Sequence, residues 1–174
     1  MKLLQKLVGV ALLSASAASM ADPIGVDAGW YGFCFGGAGS PATNGCQNQG
    51  VGSAGNPFTF SLTGPGLLKV TDAFDIGDTF DVWVNSVLAF TTSVPGSGAS
   101  TSNPDVAFAS GYYSAGSLLL AAGNYSIDIF ANQSPFGSGG AYVEVESAVP
   151  LPGTLALVGL GLAGLGLRRR AVRV

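Results

Sequence analysis

Thr79-Phe80-Asp81-Val82-Trp83-Val84-Asn85 is the stretch whose reading decides the fold. Phe80, Val82 and Val84 alternate with Asp81, Trp83 and Asn85. Successive side chains of a strand point to opposite faces, so this spacing puts three apolar residues on one side of a sheet. The alternation recurs in Tyr125-Ser126-Ile127-Asp128-Ile129, where Tyr125, Ile127 and Ile129 share a face. In Tyr142-Val143-Glu144-Val145-Glu146 it places Val143 and Val145 inward and Glu144 and Glu146 outward. One apolar and one wet face is the pattern of antiparallel sheets.

Working outward, short apolar stretches bounded by Gly, Pro, Ser and Asn predict strands over 58–62, 66–72, 79–85, 87–92, 107–110, 117–120, 124–130 and 141–147. Asn85-Ser86 separates two of them and predicts a hairpin. Residues 22–56 are rich in Gly, Ala, Asn and Gln and read as irregular, with one strand at 29–35. Residues 94–104 and 133–140 read as loops within one domain. Between the two ends of the chain no capped stretch of helical period stands out. The expected class is all-β: an antiparallel β-sandwich of jelly-roll type spanning 22–148.

Charge is unevenly placed. Six of the seven basic residues fall outside 22–148, which leaves Lys69 alone there. All ten acids lie inside it, so that region carries a net charge of −9. Nucleic acid and anionic membrane surfaces call for the opposite sign. The chain has no His, which excludes Ser-His-Asp and Cys-His catalysis and most zinc sites. Asp, Glu, Ser, Thr, Asn, Tyr and Trp remain. They suit neutral hydroxyl-rich partners or calcium, and equally an inert exported scaffold.

Asp72, Asp75, Asp78 and Asp81 recur every third residue, with Gly77 among them. Calcium takes several carboxylate and carbonyl oxygens from a flexible loop, so these four are a calcium candidate, although the spacing is not that of an EF-hand. The competing reading makes Asp75 and Asp78 turn residues and places Asp72 and Asp81 on strands. Trp83, Tyr112, Tyr113 and Phe136 are aromatics that either stack on sugar rings or fill the core. A pair of acids would serve a small glycoside hydrolase, but ten acids make a pair arithmetically easy. Cys34 and Cys46 are the only cysteines, and in an exported chain they are expected to form a disulfide across a Gly-rich loop.

The N-terminus supplies the reason to expect export. Residues 1–21 hold Lys2 and Lys6, an apolar stretch at 7–13 and small residues ending Ser19-Met20-Ala21. This is the pattern of a secretory signal peptide cleaved after Ala21, with Ala18 as a second choice. At the other end, residues 153–167 are uncharged. As a helix they rise roughly 22 Å, a short span against about 30 Å of bilayer hydrocarbon. Arg168, Arg169, Arg170 and Arg173 follow, can snorkel to the headgroups and predict a cytoplasmic end. Gly159-Leu160-Gly161-Leu162-Ala163-Gly164 matches GxGxxG, but no acid follows it, so helix packing explains it better than a dinucleotide.

The order Val149-Pro150-Leu151-Pro152, apolar run from Thr154 to Leu167, then arginines resembles the PEP-CTERM sorting signal. Leu151 stands where that family usually has Glu. The resemblance implies an exported protein of a Gram-negative, exopolysaccharide-making bacterium, processed near 150–152 by a membrane protease of the exosortase type. It implies a short inner-membrane tether followed by a surface or extracellular fate. The stretches 69–85, 119–130 and 134–145 also resemble body domains of other small PEP-CTERM proteins. The expected function is therefore a non-enzymatic surface or matrix protein without cofactor, associated with exopolysaccharide or biofilm. A carbohydrate- or calcium-binding module is the alternative, and a small glycoside hydrolase the third.

Overall fold

A computed structural model describes residues 21–148. The expected signal peptide (apart from Ala21), the motif Val149-Pro150-Leu151-Pro152, the helix expected at 153–167 and the arginines at 168–170 and 173 lie outside the described residues. Among the described residues ten strands form two five-stranded sheets, accompanied by one short helix. The strands are β1 (Asp22–Pro23), β2 (Tyr31–Phe35), β3 (Gly52–Ser53), β4 (Phe58–Leu62), β5 (Gly66–Asp72), β6 (Thr79–Val84), β7 (Val87–Thr91), β8 (Ala115–Leu120), β9 (Gly123–Gln133) and β10 (Gly139–Ser147). One sheet has the order β1-β4-β9-β6-β7 and the other β3-β2-β10-β5-β8. The class is all-β as expected, but both sheets are mixed. β1 pairs with β4, and β3 with β2, in parallel.

The alternation that predicted the strands also builds the core. Phe80 and Val82 of β6 and Ile127 and Ile129 of β9 meet Val143 and Val145 of β10 and Leu68 and Val70 of β5 in one buried cluster. Phe33 of β2 bridges the sheets, edge-on to Phe58 and Phe80 at 5.8 and 5.5 Å between centroids. Such tilted pairs satisfy the ring quadrupoles. Asn85 and Ser86 adopt φ of 49° and 66°, the two left-handed residues of a tight hairpin between β6 and β7.

Two expectations are corrected and one is met. Residues 107–110 are not a strand: α1 (Pro104–Ala109) is helical, capped by Asn103, whose side chain accepts from Val106 N, with Pro104 in the first turn. Asn-Pro is a helix-start signal, but six residues are too few to show a helical period. The strand expected at 29–35 is present as β2, and it is an interior strand, lying between β3 and β10. Finally, Glu144 faces away from the main core but is not wet. Trp30, Ala73 and Tyr142 form a second buried cluster on that side, with Phe74 and Phe108 packed against it. Glu144 is 7% exposed and pairs with Lys69 at 2.6 Å, while Glu146 meets the same ammonium at 2.8 Å.

Candidate functional site

The aspartate-bearing loop begins where β5 ends. Asp72 is fully buried, and its two oxygens accept from Ala73 N at 2.8 Å and Gly77 N at 3.3 Å. Gly77 has φ of +154°, and a Cβ there would lie 2.9 Å from Pro135 Cγ, so glycine fits this turn on both counts. Phe74 is anchored by its N–H to Thr101 O at 2.8 Å. Its carbonyl accepts from the Tyr113 hydroxyl at 2.7 Å.

The loop forms one side of a cleft of about 380 Å³. Residues 45–48 form another side, and the start of β10 a third. Cys34 and Cys46 are disulfide-bonded, with Cα atoms 5.0 Å apart, as expected. The cross-link ties the 45–48 segment to β2. Gly32 permits the same approach, because a Cβ there would collide with the carbonyl of Cys46. Gln47, Asn48, Phe74, Asp75 and Asp78 line the cleft, with the backbone of Gly140 between them.

The four aspartates do not act as one donor set. Asp81 points elsewhere, on β6, where Oδ1 accepts from the Thr91 hydroxyl at 2.6 Å. Asp72 has its oxygens committed to backbone amides. Asp75 is exposed, whereas Asp78 is 3% exposed. Among the described residues no group of three or more His, Cys, Asp or Glu is arranged to hold a metal ion. Burial pushes the Asp72 carboxyl up to about 8, the neighbouring Asp78 adds to the rise, and the three backbone N–H donors only partly offset it. Burial also raises Asp78, helped by the charge of Asp75 and opposed by the nearby Ser134 hydroxyl.

Of the four aromatics singled out in the sequence, Tyr113 is buried and serves as a hydrogen-bonded strut. Trp83 and Tyr112 are half-buried. Phe136 is 61% exposed and lies against Gly77 of the aspartate loop. Gln47 and Asn48 had no signal in the sequence beyond their place in a Gly-rich loop. Only the pairing of β2 with β10 and the disulfide bring them opposite Asp75 and Asp78. No helix among the described residues is long and apolar enough to cross a membrane.

No curated protein and no solved structure matches the chain. Residues 148–170 match the family described as the PEP-CTERM protein-sorting motif. That stretch contains Val149-Pro150-Leu151-Pro152 and Arg168, Arg169 and Arg170. The motif implies export, tethering at the membrane and processing by an exosortase, a membrane protease. Residues 148–170 therefore carry a match to the PEP-CTERM protein-sorting motif, consistent with an exported exosortase substrate.

Proposed function

We propose that this is a non-catalytic protein of the cell surface or extracellular matrix, associated with exopolysaccharide or biofilm. The sorting motif at 148–170 carries the reading. Residues 1–21 act as the signal peptide. The apolar run 153–167 then holds the chain in the inner membrane, with the arginines at 168–170 and Arg173 on the cytoplasmic side. Cleavage within 149–152 releases residues 22–148 as a jelly-roll-like sandwich. Removal of both ends takes away six basic residues and leaves a body of net charge −9. Such a body stays soluble and is repelled by anionic surfaces.

The test is deletion of the exosortase gene in the producing bacterium. The expected result is a membrane-bound, full-length tail and loss of the protein from the outer surface or medium. Unchanged release in the deletion strain would overturn the reading. The cleft beside the disulfide favours a second reading within this one, a carbohydrate-binding module.

A further inference from the structure

Four polar side chains around the cleft share one property. Gln47, Asn48 and Asp75 line it with side chains that hydrogen-bond to no described residue. Asp78 is 3% exposed, lines the same cleft, and its Oδ1 has no hydrogen-bond partner. The Ser134 hydroxyl lies close to it but outside hydrogen-bond geometry. Buried acceptors are normally satisfied, and one left open beside a cleft points to a donor that arrives with a ligand.

The chemistry narrows that ligand. A cation such as calcium wants six to eight oxygens, yet Asp72 is spent on backbone amides and Asp81 is elsewhere. An anion would meet two carboxylates and no base, because Lys69 is held by Glu144 and Glu146. An apolar molecule would strand the four polar groups without partners. A neutral polyhydroxylated molecule satisfies them. Its hydroxyls donate to carboxylates, exchange bonds with side-chain amides, and leave its C–H faces to pack on rings. Phe136, 61% exposed against Gly77, offers such a ring beside the cleft. A volume of about 380 Å³ lies within the usual range for small-molecule clefts.

We propose that the cleft binds a neutral saccharide unit, with Asp75 and Asp78 accepting from its hydroxyls, Gln47 and Asn48 bonding at the rim, and Phe136 packing on the ring. The assignment deepens the carbohydrate-binding reading and does not depend on how the tail is processed. The experiment is amide NMR of the exported protein, titrated separately with glucose, galactose, mannose and calcium chloride into the millimolar range. At least one sugar is expected to give saturable shifts confined to residues 45–48, 73–78 and 136–140. Asp75→Asn and Phe136→Ala alter exposed side chains and should each weaken binding by about tenfold, the usual effect of losing one charged hydrogen bond or one stacked ring. Asp81→Asn, outside the cleft, should leave it unchanged. No shifts with any of the sugars, shifts elsewhere, or shifts at these amides with calcium alone would overturn the proposal. A cleft that fails this test in a protein still cut by exosortase removes the saccharide site and leaves the sorting reading standing.

Discussion

Asp72 keeps its proton in the folded protein at pH values where an exposed carboxyl has lost it. Its carboxyl titrates at about 8 when folded, against 3.8 for the free group. Between those values the unfolded chain binds fewer protons than the folded one, so stability falls as pH rises. The decline should begin near pH 4, run through pH 8 and level off above it. Asp72→Asn removes this titration, so urea unfolding across that range should show a shallower decline in the variant. Equal slopes would contradict the assignment. Lys69 makes the opposite kind of case. It joins Glu144 and Glu146 and lies 4.9 Å above the Trp30 ring. Lys69→Met strands a buried Glu144 and should cost about 3–5 kcal/mol in denaturant unfolding, and adding Glu144→Gln should recover most of it. A single variant as stable as the wild type would show the pair to be dispensable. The burial of neither group could be read from the sequence, because a pattern such as Val143-Glu144-Val145 gives the face of a residue and not what covers that face.

Among the elements, strands were legible where one side of a sheet is buried. β6, β9 and β10 were expected within a few residues of where they lie, and the Asn85-Ser86 hairpin was placed outright. β2 was expected within 29–35 although its sequence does not alternate, whereas α1, shorter than two helical turns, was missed. The helix depends on its ends more than on its interior. Asn103 caps Val106 N at 3.1 Å, and Trp30 Nε1 donates to Asp105 Oδ1 at 2.8 Å. Asn103→Ala should lower stability by about 1 kcal/mol, read as a drop in thermal midpoint. Since α1 covers the Trp30–Phe108 side of the second sheet, the same variant should speed hydrogen exchange at 104–109 before it affects β9. Unchanged exchange there would show that packing alone holds the helix.

For the whole molecule, the division of labour follows the distribution of charge. The ends carry the bases and the body carries the acids, so the part that is delivered differs physically from the parts that deliver it. The address could be read directly, because a sorting signal is a linear pattern of Pro-X-Pro, apolar run and arginines. The cleft could not, since it joins residues 45–48 to 73–78 and 138–140 through strand pairings that no local pattern encodes. Within the aspartate repeat, spacing left open a calcium candidate or two turn and two strand residues, and Asp72 and Asp81 do lie on β5 and β6. Folding buries two, exposes one and sends Asp81 to hydrogen-bond with Thr91.

Mass spectrometry of the protein recovered from the producing cell's exterior tests the sorting account most directly. The expected species begins at Asp22 and ends within 149–152, without the apolar run and the arginines. A mature protein that still ends in Arg173-Val174 would contradict it.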